Sequence, residues 1–405
     1  MRLAYLDWLR LLSIAGVLVF HAAMPYVAEW DWHIKNAETS PLLLEFNFWL
    51  SRFRMPLLFF ISGAITHVML QRKSVKAFIG LRFRRLLLPL AAGMLLFVVP
   101  LQVYMERLQQ GYRGSFFQFY PGIFTSGPYP EGNFSWHHLW FIAYLLVYDL
   151  LLAPLFKWCT ADANRLPGLQ RLARGQRFYW LMVPSVLWYT ATSRFFPRTD
   201  DLIHDYCYFV YWLLFLLAGF CCMQAPALLQ SLERNRRASF TGAVLTFALI
   251  TYLRWNGLEP GELAGFGPDH PVTYGFVALF PVTSWLWVFT ALGYGRRYLN
   301  RPHPALAYLN NAAYPFYILH QTVIVVLAYY FVRTPETIGM KYVFTVLATA
   351  AVSLALYHLC IRPYALMRLL FGTRAAEPRK TRPMASALSP QEAPGTVLYP
   401  SKTLS

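Results

Sequence analysis

Apolar runs long enough to cross a lipid bilayer recur along this chain, separated by short stretches that hold most of its charge. A helix needs about 20 apolar residues to span the hydrocarbon core. The pattern predicts ten such helices, at 9–28, 46–70, 83–104, 138–157, 178–195, 207–224, 239–256, 273–294, 306–331 and 342–361. Segments 178–195 and 239–256 are the weakest of the ten: the first is short, and Arg254 stands near the end of the second. The expected fold class is an all-α polytopic integral membrane protein. No internal repeat or long soluble insertion interrupts the pattern, so one transmembrane domain is expected over 1–372, followed by a disordered basic cytoplasmic tail over 373–405.

Basic residues orient the array. The connections 71–85, 157–177, 225–237, 295–304 and the stretch from 362 hold 24 Lys and Arg. The opposite connections, 29–45, 105–137, 194–206, 257–272 and 333–341, hold 7, against 13 Asp and Glu. The positive-inside rule then places both termini in the cytoplasm, as in a multi-pass bacterial inner-membrane protein. The net charge of +17 is mostly this topology signal, with anionic lipid headgroups as a secondary partner, and no nucleic-acid module accompanies it. The start of the chain does not read as a cleaved signal peptide, because its apolar run continues the polytopic pattern and Asp7 lies among the flanking charges.

Composition agrees. Charged residues are 14% of the chain and hydrophobic ones 57%, where a soluble domain carries about 25% charged residues. The five cysteines have neither metal-binding nor disulfide spacing. The sequence has no phosphate-binding glycine loop, serine elbow or metal-binding histidine pair. Within the outer 105–137 connection, Ser115 to Phe124 is too apolar for a solvated loop, and is expected to lie in the interface or to fold back over the bundle.

Ionisable residues inside the apolar runs are the candidate chemistry, since such groups are costly in lipid and usually functional. Arg10 and His21 share a face of the first helix, about three turns or roughly 16 Å apart. Arg54 precedes Pro56, which removes a helix hydrogen bond, and Ser62-Gly63 permits close helix packing. Arg54 either snorkels to the outer headgroups or orients an anionic or carbonyl group in a cavity. Arg82 and Arg85, three apart on one face, suit a phosphate at the cytoplasmic mouth, although topology alone also places arginines there. Trp136-His137-His138-Leu-Trp140 reads as an interfacial belt or as part of a site. His320, beside Tyr314 and Tyr317, falls at a depth comparable to His21. Asp7 and Asp149 are expected to pair with nearby arginines.

Taken in order, these elements resemble the membrane acyltransferase 3 family, which moves acyl groups onto hydroxyls of cell-envelope glycans and related acceptors. The resemblance rests on Leu6-Asp7-Trp-Leu-Arg10 with His21, on Arg54-Met-Pro-Leu-Leu-Phe-Phe-Ile-Ser-Gly63, on Arg82-x-x-Arg85, on His138-Leu-Trp-Phe and on Tyr314-Pro-Phe-Tyr-Ile-Leu-His320. The Arg54-Met-Pro and His138-Leu-Trp-Phe forms look closest to the glucan-biosynthesis protein C subgroup, associated with succinylation of periplasmic glucans. Two departures stand out. Many relatives carry a fused extracytoplasmic hydrolase-like domain, absent after the last span here, so transfer would finish on this chain or with a separate periplasmic partner. Many also carry a Glu soon after the His-x-Trp element, where this chain offers only Asp149.

The resemblance implies an acetyl- or succinyl-coenzyme A donor, with no metal, and a hydroxyl acceptor that is a glycan or small molecule. The donor phosphates would meet Arg82, Arg85 and Arg10, with the pantetheine arm reaching towards His21. His21 would act as general base or as acyl-accepting nucleophile, and these readings stay open. Arg54, His138 and His320 would stabilise the oxyanion or steer the acceptor. The rival reading is a transporter or flippase of an anionic or glycan substrate, which would also keep charges in a central cavity.

Overall fold

A computed structural model describes residues 3–162, 165–263 and 265–373, so all of the predicted tail except its first residue lies outside the described residues. Among the described residues the regular structure is helical. The helices used below are α1 (Ala4–Ala23), α2 (Pro41–Arg72), α3 (Val75–Arg82), α4 (Leu88–Leu95), α5 (Val98–Gln109), α6 (Trp140–Ala161), α7 (Val183–Thr192), α8 (Tyr206–Gln224), α9 (Arg236–Trp255), α10 (Pro271–Tyr298), α11 (Ala305–Phe331) and α12 (Ile338–Leu356).

Eight helical stretches among the described residues are long and apolar enough to cross a membrane: 4–26, 41–72, 75–109, 137–161, 206–224, 271–298, 305–331 and 338–361. They overlap eight of the ten expected spans. The other two behave differently. Residues 178–195 form a tight helical turn that runs into the ten-residue α7. The segment 239–256 lies in the 20-residue α9, which falls short in apolarity because Arg236, Arg237 and Arg254 share it with several hydroxyl residues. α9 nevertheless turns Val244, Leu245 and Leu249 outward.

Local sequence sets the helix starts. Ser40 accepts a hydrogen bond from the Leu43 amide, with Pro41 in the first turn, so α2 begins with a capped end. Ser74 and Thr337 cap α3 and α12 in the same way. α2 continues through Pro56 rather than stopping there. Between α3 and α4 the chain takes an i→i+5 turn over Phe83–Leu87, which carries Arg84 and Arg85 and shifts them round the helix relative to Arg82.

Two contacts frame the site. α2 and α8 cross backbone to backbone. A Cβ on Gly63 would lie 1.9 Å from the Leu216 carbonyl oxygen, and one on Gly219 would lie 1.9 Å from that of Phe60. Only glycine permits this approach, as in close-packed membrane helices generally. α1 and α11 are tied twice, by Arg10 to Asn310 and by His21 to His320. Both numberings rise together, so the two helices run parallel from an arginine end towards a histidine end.

Candidate active site

At the centre, His21 of α1 and His320 of α11 stack with ring centroids 5.2 Å apart and nearly parallel planes. His21 Nδ1 lies 2.9 Å from His320 Nε2. The protons in this pair follow from one neighbour. His320 Nδ1 is 2.5 Å from the Tyr317 carbonyl oxygen, and a carbonyl can only accept, so Nδ1 carries the proton. In the neutral ring Nε2 is then the acceptor, and His21 Nδ1 must donate to it. His21 Nε2 is left with the lone pair. A backbone carbonyl thus sets the tautomer of His320, which sets that of His21.

His138 packs edge-on to His320, with centroids 5.3 Å apart. Its Nε2 donates to the Ile318 carbonyl at 3.0 Å. Tyr317 reaches back to donate its hydroxyl to the His138 carbonyl. Gln102 Nε2 donates to Thr322 Oγ1 at 2.8 Å, and the Thr322 hydroxyl donates to the Val98 carbonyl at 2.8 Å. These bonds fix the start of α6 against α11 and α5.

Arg54 is buried. Its guanidinium carbon stands 3.4 Å over the Phe20 ring, and its Nε has no hydrogen-bond partner among the described residues.

The arginine end is built differently. Arg82 is buried, with Nε 2.8 Å from an Asp149 carboxylate oxygen. The Thr66 hydroxyl donates to the other Asp149 oxygen at 2.9 Å and accepts from Arg82 at 2.8 Å. Asp149 thus pairs with an arginine, as does Asp7 with Arg10 at 4.0 Å. Arg10 also donates to Asn310. Arg10 and Arg85 are half-buried. The structure therefore brings His21, His138 and His320 together, with Arg54 beside Phe20, the residue before His21. It sets Arg10 at the other end of α1.

Residues that the sequence reading did not select surround this centre. Trp32 stacks on His21 at 5.2 Å. His33, Glu106, Tyr129 and Gln321 form a second polar group beyond it, joined by His137 of the Trp136-His137-His138 element already noted. The available signal was modest: His33 follows Trp30 and Trp32 shortly after the first span, and Glu106 lies in the last turn of an apolar helix. The 105–137 connection folds back over α5. Arg107 donates to the Pro130 and Gly132 carbonyls at 2.8 and 2.9 Å, bringing Tyr129 against Glu106. Burial, then the Glu106 carboxylate, push the Tyr129 hydroxyl up to about 12, so it stays a donor. Among the described residues no group of three or more His, Cys, Asp or Glu is arranged to hold a metal ion.

Comparison with known proteins bears on this arrangement. A family model described as an acyltransferase domain matches residues 3–358. The glucans biosynthesis protein C of Escherichia coli O81 (strain ED1a) is 22% identical over 384 residues, covering 92% of this chain and 94% of that protein. The protein of the same name from Escherichia coli strain K12 matches with the same identity and coverage. No solved structure matches the chain.

Proposed function

Because the chain belongs to the acyltransferase 3 family and is a membrane acyltransferase, we propose that it moves an acetyl or succinyl group from coenzyme A to a hydroxyl of a cell-envelope glycan, with His21 at the reacting carbon. One observation carries this reading. The Tyr317 carbonyl, His320 and His21 form a chain of hydrogen bonds that leaves a lone pair on His21 Nε2, which is what a general base or an acyl-accepting nucleophile needs. Family membership also favours acyl transfer over transport, the alternative left open by the residues alone.

The donor's phosphates bind at the arginine end. Arg10 and Arg85 meet them, and Arg82, tied to Asp149, holds the floor of the same mouth. The pantetheine arm then lies along α1 over roughly 16 Å to His21. Arg54, the buried cation with the open Nε, faces charge that develops on the carbonyl oxygen or the free carboxylate of a succinyl group. His138 and His320 keep this centre in register.

The charge asymmetry of the connections supports an inner-membrane protein with the arginine end and both termini in the cytoplasm. The acceptor then enters from the histidine end. The relatives' name points to a glucan. An open cleft of about 870 Å³ lies on the same connection as His33, lined by Glu29, Glu45, Trp255 and Glu259 among others. Arg254 in the same lining pairs with Glu45 and Glu29, and the exposed Trp255 indole beside this polar set suits the face of a sugar ring.

The test uses the full chain in nanodiscs with radiolabelled acetyl- and succinyl-coenzyme A, and compares wild type with His21→Ala. The expected result is free coenzyme A or acylated glucan from the wild type, and a loss of at least about a thousandfold in a folded variant. Normal turnover by His21→Ala would end this reading.

A further inference from the structure

The acyl-transfer reading leaves a second, buried histidine group without a task. His33 lies in the connection between α1 and α2, which is pinned rather than loose. Gln109 of α5 accepts from the Lys35 amide at 3.2 Å and donates to the Lys35 carbonyl at 3.0 Å. The Asn36 amide donates to the Pro25 carbonyl at 2.9 Å, and that of Ser40 donates to the Tyr26 carbonyl at 2.8 Å. This places the His33 ring against α5, where its Nδ1 donates to the Glu106 carboxylate.

Glu106 is itself buried and held. The Tyr129 hydroxyl donates to it at 3.2 Å, and Gln110 donates at 3.4 Å. An ionised carboxylate only accepts, so His33 Nδ1 carries the proton and Nε2 presents a lone pair. The amide nitrogen of Gln321 reaches that lone pair at 3.2 Å. Gln321 directly follows His320, and Trp32 lies between the two histidine groups, 5.2 Å from the His21 ring and 4.9 Å from that of His33.

Three polar atoms around His33 have no hydrogen-bond partner among the described residues: Gln321 Oε1, His137 Nε2 and Trp32 Nε1. The His137 ring is 4.5 Å from that of His33. His137 also adopts φ +43°, an uncommon conformation for a non-glycine residue. Buried polar atoms normally find partners. A carboxylate-backed imidazole with open donors and acceptors beside it is complementary to a hydroxyl group.

We propose that His33, backed by Glu106, is a second catalytic base, which takes the proton of the sugar hydroxyl that receives the acyl group. This rests on the acyl-transfer reading and assigns its second half. The hydroxyl oxygen forms the ester bond to the acyl carbon as the bond from that carbon to its carrier breaks. The carrier, the coenzyme A sulfur or His21 Nε2, leaves with the electron pair. The hydroxyl displaces the Gln321 amide from His33 Nε2, its proton passes to that nitrogen and then from the imidazolium to water at the histidine end, while Glu106 balances the transient charge. Two bases then divide the work: His21 faces the donor and His33 faces the acceptor.

The experiment uses the full chain in nanodiscs with labelled acyl-coenzyme A and a neutral glucan oligosaccharide, and measures coenzyme A release and acylated glucan separately. His33→Gln is expected to lower glucan acylation by about 100-fold, and to lower coenzyme A release in the absence of glucan far less. His33→Ala is expected to lose acylation equally and to regain part of it with added imidazole, which a merely structural role would not allow. Acylation by His33→Gln within threefold of wild type overturns the inference. So does a folded His33→Ala protein that imidazole does not restore. Silence of the wild type with both donors is a different result, because it fails the acyl-transfer reading itself.

Discussion

Arg54 and Arg82 are both buried arginines in an apolar bundle, yet their surroundings differ in kind. Arg82 meets the Asp149 carboxylate at 2.8 Å, with Thr66 bridging the pair. Arg54 has an aromatic face at 3.4 Å and, among the described residues, no carboxylate within ion-pair distance. Burying an ion is costly unless a counter-charge or hydrogen bonds compensate. Arg82 has that compensation inside the protein, which makes it architecture. For Arg54 the Phe20 face is the nearest compensation. The same contrast separates the two ends of the bundle: an arginine paired with a carboxylate at one, and histidines linked to one another and to backbone carbonyls at the other.

The comparison breaks most sharply at Arg82. Arg82→Ala would leave Asp149 charged and unpaired, and is expected to cost about 3–5 kcal/mol of stability. Thermal unfolding in detergent should show it as a large fall in midpoint, and an unchanged midpoint would move Arg82 out of the architecture. Next is Arg54→Ala, expected to lower turnover by about 100-fold or more while unfolding stays near wild type. Steady-state kinetics beside a melting curve separate the two arginines, and a fall in stability without a fall in turnover would reverse their roles.

A smaller effect is expected at the crossing that holds α2, and hence Arg54, in place. Gly63→Ala puts a methyl 1.9 Å from the Leu216 carbonyl oxygen. Overpacking of this kind costs about 1–3 kcal/mol, readable as a lower melting midpoint with some loss of activity. Least disruptive is Arg85→Gln. Removing one charge-assisted contact to a phosphate is worth about 1.5–3 kcal/mol, so the KM for the acyl donor should rise about tenfold or more with kcat little changed. A fall in kcat with KM unchanged would take Arg85 away from the donor.

The sequence displayed the site unevenly. Arg10, His21, Arg54, His138 and His320 were visible because each interrupts or borders an apolar run, where an ionisable group needs a reason. Arg82 was visible too, and Asp149 was expected to pair with an arginine, but that the two are partners was not legible, since they lie in different helices and nothing local links them. His33 and Glu106 were passed over because they sit in or at the edge of a connection, where charge is ordinary. The two weak spans stand apart from the eight for opposite reasons. The 178–195 segment is too broken to make one long helix. The 239–256 segment makes a full helix, but arginines and hydroxyl residues dilute it.

By itself, the sequence determined that this chain builds apolar helices, where most of them run, and which side of the array is basic. These are properties of local composition: backbone polar groups in lipid must be satisfied within the segment, and a run of about 20 apolar residues does this as a helix. Only the tertiary structure decided which faces meet. His21 and His320 are 299 residues apart in the chain, and the contact between them, with the tautomers it imposes, depends on how α1 and α11 are turned towards each other. Many rotations of an apolar helix bury comparable surface. Close packing and the hydrogen bonds of the buried polar groups choose among them.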